Sequence, residues 1–348
     1  MTFLSKVKPH LRHKDLFVQQ FVVNSLMDYP NTPVEWTNEL LQEAIEVKEK
    51  EFSILMGLNN HTFNAQSLSL LQKGLKQSTK DREFLYTRLM TRVPPTIIWK
   101  HKDELNSTIS EEWWNIYDIV LHGDEEKVWG TFGLILNKLD EEGPYNNDLY
   151  EQAKLLLQTI VQNGWIEEGE IDIVMNEELN NDWFSFAGIL MVHAIGLLQI
   201  KRYIPILANL LIRDEDTLLE ELTNTLVSFQ SDDAVKAVTP YIRHIDSNIY
   251  AISVLENTKT ELSVQTLKSM YNEVDDEETK ALIIEALCHH YEESAFHYIE
   301  DFLCNNYDTL LLDWEELAYG FFTLMEKPHP LLNEWKAIAI QKEATFHN

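Results

Sequence analysis

The side chains best suited to chemistry form a short run of metal-binding types late in the chain. Cys288 is followed directly by His289 and His290, and Glu292 and Glu293 come after one tyrosine. Neighbouring residues of a helix point about 100° apart, so the two imidazoles do not easily reach one ion. We therefore interpret the run as a partly buried helix end and expect neither a metal nor another cofactor.

Recognisable catalytic motifs are missing from the sequence. It contains no Gly-rich phosphate loop, no Gly-x-Ser-x-Gly, no His-Glu-x-x-His and no Cys/His set at zinc spacing. The absence of a catalytic set favours a protein that binds another molecule over an enzyme.

A basic stretch with interleaved tryptophans points to a second kind of chemistry. The residues concerned are Trp99, Trp113, Trp114 and Trp129, with Lys73, Lys76, Lys80, Arg82, Arg88, Arg92, Lys100 and Lys102. Stacking groups beside cations are typical of nucleic-acid-binding surfaces. The alternative is that these tryptophans belong to the core and that the cations are solvated or paired. Trp99 and Trp113 are kept as candidate partner-binding residues.

Net charge disfavours nucleic acid and favours a basic partner. The chain carries −29 at pH 7, which repels nucleic acid and anionic membranes and attracts basic proteins. Residues 1–100 hold 13 Lys and Arg against 10 Asp and Glu, which leaves 15 against 47 for residues 101–348. The acidic surface is therefore expected on the later part of the chain.

Acidic residues recur at the turns between predicted helices. Asp232 with Asp233 and Asp275 with Asp276 are the clearest pairs. One interpretation is that they cap helices and keep the protein soluble. The other is that the turns line up along one edge, so that the carboxylates form an acidic ridge that recognises a basic protein or peptide. We take these four aspartates as candidate partner-binding residues.

Apolar positions at helical spacing predict an all-α protein. The predicted helices are Lys14–Met27, Val34–Lys50, Asn64–Gln77, Lys80–Thr91, Ser110–Leu121, Asp124–Leu139, Asp148–Gln162, Asp214–Phe229, Ser231–Ile242, Asp246–Asn257, Glu261–Val274, Asp276–Tyr291, Glu292–Leu303, Asp313–Met325 and Pro328–Lys342. Their apolar stripes place Leu226, Leu287 and Phe321 in the core.

Helix pairs in the later part of the chain repeat at a nearly constant interval. Their first helices begin near Asp182, Asp214, Asp246, Asp276 and Asp313, at spacings of 32, 32, 30 and 37 residues. Such a period is typical of stacked helix pairs, each of which buries its apolar face against the next. Asp is expected at these starts because its carboxylate caps orphan backbone N–H groups.

These repeats resemble the HEAT-repeat family. HEAT helices commonly open with Asp, two residues, Val and a basic residue, as Asp232, Val235 and Lys236 do, and Asp276, Thr279 and Lys280 follow the pattern loosely. The resemblance implies a superhelical solenoid of antiparallel helix pairs over residues 181–343. Residues 1–180 are expected to form an irregular helical half, either degenerate repeats or a cap.

The expected function is a non-enzymatic scaffold or adaptor for a basic protein or peptide, because no catalytic set is present and the net charge favours a basic partner. The alternative is a nucleic-acid-acting HEAT-like enzyme of the alkyl-purine DNA glycosylase type. No apolar run reaches the roughly 20 residues that span a bilayer, and the first residues lack the apolar segment of a secretory signal. Two cysteines without a paired spacing fit a reducing compartment. We therefore expect a cytoplasmic protein without membrane partners.

Overall fold

The computed structural model describes residues 2–141, 145–305 and 307–346, which form helices and connecting loops with no strand among them. The first helices are α1 Phe3–Val7, α2 Leu16–Leu26, α3 Val34–Glu46, α4 Glu51–Gly57, α5 Ala65–Gln77, α6 Glu83–Thr91, α7 Pro95–Ile98, α8 Lys102–Leu105, α9 Glu111–His122, α10 Glu125–Asp140 and α11 Asn147–Gln162. They are followed by α12 Glu168–Glu178, α13 Phe186–Leu198, α14 Ile204–Asn209, α15 Asp216–Ser228, α16 Asp232–Val238, α17 Asn248–Asn257, α18 Glu261–Tyr271, α19 Glu277–His289, α20 Ala295–Cys304, α21 Trp314–Leu324 and α22 Leu332–Phe346. Short 3₁₀ turns occur at Lys8–His10, Lys48–Lys50, Trp99–His101, Lys201–Tyr203, Leu210–Ile212 and Thr239–Arg243.

The helices form two compact units. Unit 1 combines Met1–Arg92 with Gln230–Asn348, and unit 2 is the continuous segment Val93–Phe229. Within each unit, helices that follow one another pack in pairs, as α10 and α11 or α21 and α22 do. The predicted all-α class with solenoid-like helix pairing is therefore confirmed.

The units differ from the sequence-based division at residues 180 and 181. That boundary falls inside unit 2, between α12 and α13, and these two helices pack against each other. Helical periodicity shows which face of a helix is buried, but it does not show which distant helix covers that face. Helical periodicity therefore could not predict that the N-terminal and C-terminal segments form one unit.

Helix α2 is the centre of unit 1. Nine of its eleven residues are buried, polar side chains among them, and the helix packs against α21, α19 and α4. The Phe21 ring lies 5.1 Å from His289, 5.7 Å from Tyr291 and 6.1 Å from Phe321 between ring centroids. An N-terminal helix thus fills the core of the C-terminal helices.

Asp15 fixes this arrangement at the start of α2. Its carboxylate accepts hydrogen bonds from the Phe17 backbone N–H (3.1 Å), the Tyr319 hydroxyl (2.8 Å) and the Lys336 ammonium (2.6 Å). Burial disfavours its charge, but the bonds from Lys336 and Tyr319 outweigh this and lower the pKa of Asp15. One side chain therefore caps α2 and joins it to α21 and α22.

Unit 2 has a buried polar centre of its own. The fully buried Glu221 of α15 accepts bonds from the Tyr150 hydroxyl (2.8 Å) and Lys154 (2.9 Å) and pairs with His193 (2.7 Å). Burial opposes its ionisation, yet Lys154 and His193 hold the pKa of Glu221 far below its ordinary value. The network joins α11, α13 and α15.

The core residues predicted from the apolar stripes are confirmed. Leu226, Leu287 and Phe321 are each 0% exposed. Helix α13 is apolar along almost its whole length. Even so, none of the helices within residues 2–141, 145–305 and 307–346 combines the length and the apolar character needed to cross a bilayer.

Aspartate caps are less common than the sequence suggested. Asp276 does cap α19, because its carboxylate accepts the Thr279 backbone N–H at 2.7 Å. By contrast, Ser231 caps α16, which leaves Asp232 as the first helical residue, and Ser185 rather than Asp182 caps α13. A hydroxyl placed directly before the first helical residue fills the capping position and displaces the aspartate.

We expect Gly320→Ala to lower the free energy of unfolding, because the added Cβ would lie 2.9 Å from Cβ of Phe21. Forcing α2 and α21 apart should cost about 1–3 kcal/mol. The control is Gly130→Ala in α10, where a Cβ meets nothing within 4 Å, and helix propensity should give a gain of up to about 1 kcal/mol. Urea unfolding of both variants measures the difference. Equal effects would contradict the close contact of α2 with α21.

Candidate functional site

A cavity of about 200 Å³ opens in unit 1 where α2, α19 and the start of α21 meet. We call it the acidic cavity, and its lining residues are Phe21, Asn24, Glu285, His289, Leu311, Leu312, Asp313, Glu316 and Leu317. Three carboxyl groups and one imidazole thus face a single cavity, and no Lys or Arg is among its lining residues.

Helix α19 supplies one wall of the acidic cavity. Glu285 and His289 are four residues apart, so they lie on the same face one turn from each other. The Asp276 cap fixes the start of this helix. At its other end Lys6 donates to the carbonyl of Tyr291 at 3.0 Å, which places a cation at the negative end of the helix dipole. Both ends of the helix are therefore held.

A loop of irregular backbone between α20 and α21 supplies the lip of the acidic cavity. Glu278, in the first turn of α19, accepts the Leu310 backbone N–H at 2.7 Å and the Thr309 hydroxyl at 2.6 Å. These bonds hold Leu311 and Leu312 against the cavity. Leu310 is 92% exposed and Leu311 51% exposed, so an apolar lip lies beside the acidic interior.

Two carboxyl groups of the acidic cavity lack a direct ion-pair partner, although Lys342 acts on Glu316 from beyond contact distance. Glu285 and Glu316 make no hydrogen bond or ion pair within the part of the chain that the structure describes. Burial raises the pKa of Glu285 to about 7, and the charge of Glu256 adds to this. Burial also raises the pKa of Glu316 to about 7, with repulsion from Asp313 as the next cause. Near neutral pH, both groups are therefore held in a site that opposes their ionisation.

The residues behind Glu285 are paired in a way that Glu285 is not. Glu256 bonds Nδ1 of His289 through Oε1 at 2.6 Å, and Lys259 donates to the carbonyl oxygen of His289 at 3.0 Å. Burial disfavours the Glu256 carboxylate, but His289 and Lys259 lower the pKa of Glu256 below its ordinary value. Burial in turn lowers the pKa of Lys259 to about 7. Glu256 is thus paired with groups inside the protein, whereas Glu285, which faces the cavity, makes no direct ion pair.

The run of metal-binding types noted in the sequence is divided between separate partners. His289 bonds Glu256, whereas Nε2 of His290 lies 2.9 Å from the carbonyl oxygen of Leu255. Cys288 is a buried free thiol. In the described ranges, no three His, Cys, Asp or Glu side chains are grouped so that they could hold a metal ion.

The four candidate aspartates of the ridge differ in role. Asp232, Asp233 and Asp275 are exposed at the starts of α16 and α19, and Asp233 is 3.9 Å from Lys236. Asp276 is also exposed, but its carboxylate bonds both the backbone and the hydroxyl of Thr279. It is the helix cap of the first interpretation, whereas the other three carry charge at the surface.

The tryptophan candidates are mostly internal. Trp113 and Trp114 are 5% and 3% exposed, which places Trp113 in the core of unit 2 rather than at a surface open to a partner. Trp99 is half-buried, and Lys102 covers its ring at 4.4 Å from the centroid. The cations from Lys73 to Arg92 belong to unit 1 and these tryptophans to unit 2. The cations and tryptophans that alternate along the sequence are therefore divided between the two units.

The acidic cavity was missed by sequence reasoning. Glu285 interrupts an otherwise apolar stretch, Ala281–Ala286, and a lone acid on a buried face was the available signal. Glu316 is one of many acidic residues near predicted helix starts, so its position alone gives no signal. Their convergence depends on contacts between distant helices, which a linear pattern does not contain.

Comparison with known proteins gives no relative. No family model matches the chain, and neither curated proteins nor solved structures show significant similarity to it. The HEAT-like resemblance therefore rests on the sequence pattern alone, and function has to be inferred from the chain's own sites.

We expect Glu285→Gln and Glu316→Gln each to raise the melting temperature at pH 8, with a much smaller effect at pH 4.5. With a pKa near 7 in the folded state and an ordinary value near 4.5, each carboxyl binds its proton more tightly when folded. Its contribution to stability is present below about pH 4.5 and is lost as pH rises towards 7. Removing one ionising group should gain about 1–3 kcal/mol at pH 8.

Circular dichroism melting curves at the two pH values measure this gain. The exposed Glu293 provides a matched control, because Glu293→Gln should change the melting temperature little at either pH. A loss of stability at pH 8 in both cavity variants would mean that nearby cations stabilise the ionised carboxyl groups more than burial opposes them.

Proposed function

We propose that this chain is a non-enzymatic protein-binding scaffold that takes a lysine or arginine side chain of a basic partner into the acidic cavity. The observation that carries the proposal is the pair of largely buried carboxyl groups, Glu285 and Glu316, that line the cavity without a direct ion pair. The charges of His289 and Lys342 act on them but do not offset burial. Groups whose ionisation lowers the stability of the folded protein are typical of binding sites, where function requires some loss of stability. A cationic group from outside would supply the missing charge.

The cavity suits a long basic side chain in shape as well as in charge. Lys and Arg have apolar stems that pack on apolar surface while the charged head is bonded. Leu311 and Leu312 at the lip would contact the stem, and Glu285 and Glu316 would bind the head. An ion pair formed in such a partly desolvated site is stronger than one at an open surface.

Long-range charge favours the same class of partner. The net charge of −29 and the exposed carboxylates of Asp232, Asp233 and Asp275 create a negative field around a site in unit 1. Such a field increases the rate of encounter with a basic protein more than it increases affinity. The ridge residues are thus proposed to steer the partner and the acidic cavity to hold it.

The remaining parts of the proposal follow from the sequence. The absence of recognisable catalytic motifs from the sequence is the basis for the scaffold role. Cys304 is an exposed free thiol, which fits a reducing compartment. We therefore propose a cytoplasmic location.

We expect the peptide Ac-(Gly-Leu-Arg)₃-NH₂ to bind the full chain, and its citrulline analogue, which keeps the shape but lacks the charge, to bind at least about tenfold more weakly. The double variant Glu285→Gln/Glu316→Gln should lose binding of the arginine peptide to a similar extent, about 1.4 kcal/mol or more. Wild-type affinity should rise from pH 6 to pH 8, because the carboxyl groups ionise over that range.

Isothermal titration calorimetry measures these affinities, and Glu293→Gln is the control that should keep wild-type binding. Equal affinity for the arginine and citrulline peptides would exclude recognition of charge by the acidic cavity. Unchanged binding by the double variant would place the peptide elsewhere on the chain.

The ridge is tested separately with Asp232→Lys/Asp233→Lys/Asp275→Lys, in which Asp276 is kept because it caps α19. We expect the association rate of the arginine peptide to fall severalfold, with little change in dissociation rate, and the salt dependence of association to become weaker. Stopped-flow fluorescence with a labelled peptide measures both rates. If association is unaffected at low salt, the three aspartates only solvate the surface.

A further inference from the structure

A second and larger cavity lies in unit 2, between α9, α10 and α11. Its volume is about 530 Å³, within the range of sites that bind small ligands or a few residues of a peptide. We call it the α9–α11 cavity, and its lining residues are Ser110, Glu112, Asn115, Ile116, Ile119, Thr131, Leu134, Ile135, Lys138, Asn146, Asp148, Leu149 and Gln152.

The α9–α11 cavity has an apolar floor and a mixed rim. Ile116, Ile119 and Ile135 are 3%, 4% and 5% exposed, so branched side chains form its base. Leu134, at 64% exposed, is an apolar wall open to solvent. The rim carries both acidic and basic side chains, so the cavity does not share the one-sided charge of the acidic cavity in unit 1.

One polar side chain, that of Gln152, lines this cavity without a hydrogen-bond partner in the described residues. Gln152 is only 5% exposed, yet its carboxamide has no hydrogen-bond partner in the described residues of either unit. Its amide atoms are not closed off from solvent, and because Gln152 lines the cavity, their hydrogen-bonding capacity is open to a bound group.

A carboxamide group carries one hydrogen-bond acceptor and two donors, so it pairs with the C=O and N–H of another amide. A group that offers such an amide next to branched apolar side chains is a peptide segment. We propose that the α9–α11 cavity binds an apolar peptide segment of a partner protein, with its main-chain amide bonded to Gln152 and its side chains on Ile116, Ile119 and Ile135. This site is independent of the acidic cavity, because its lining residues all belong to unit 2.

The test uses the full chain and the peptide Ac-Ala-Ile-Leu-Ala-NH₂, with binding followed by titration NMR. We expect binding by the wild type and a loss of at least about tenfold in Gln152→Leu, because leucine offers the peptide amide no hydrogen bond. Gln158→Leu, exposed on the same helix and outside the cavity, should bind like the wild type. Leu134→Asn changes only the solvent-open wall and should also weaken binding, which provides a second variant if Gln152→Leu misfolds.

Three results would overturn the proposal. They are the absence of peptide binding by the wild type, undiminished binding by both Gln152→Leu and Leu134→Asn, and equal affinity for N-isobutylacetamide, which would identify the ligand as a small free amide. Because Glu285→Gln/Glu316→Gln leaves unit 2 unchanged, that variant should bind this peptide like the wild type, and the two sites can fail separately.

Discussion

The packing of α2 against α19 and α21 is the interaction on which unit 1 depends. An N-terminal helix that is buried on nearly every side fills the core of helices that begin more than 250 residues later. Phe21 contacts both His289 and Phe321, and Asp15 joins the start of the helix to Tyr319 and Lys336. The acidic cavity exists because α2 completes its wall; without α2, Glu285 would face solvent and lose its unusual environment.

Both units contain a buried acid that is paired inside the protein, and Glu285 of unit 1 departs from this pattern. In unit 2, Glu221 has Lys154, His193 and a tyrosine hydroxyl around it, so a buried carboxylate is satisfied and holds three helices together. In unit 1, the inner acid Glu256 is satisfied in the same manner, whereas Glu285 is not. A protein that can satisfy buried acids in two places has the means to do so in a third. Carboxyl groups without a direct ion pair therefore distinguish the acidic cavity from the other buried acids, and this is our reason to propose that the site is functional.

The sequence predicted what depends on neighbouring residues. The helix predicted at Asn64–Gln77 is Ala65–Gln77, and the stripe residue Leu287 is fully buried. The helix Glu51–Gly57 was not predicted, because seven residues are too few to show a period. Asp232 precedes an apolar stripe like Asp276, but a serine one position earlier takes the cap. Glu285 and Gln152 gain their significance from helices distant in sequence, so their roles could only be recognised once the contacts were known.

The discontinuous make-up of unit 1 has a consequence for how the protein is synthesised. Unit 2 is one continuous segment, so it can fold as soon as Phe229 has emerged from the ribosome. Helix α2 ends at residue 26 and its partner α21 begins at residue 314. At about 5–20 residues per second, the apolar α2 waits some 15–60 s for its partner. During that time its exposed apolar surface makes the nascent chain a substrate for chaperones and prone to aggregation.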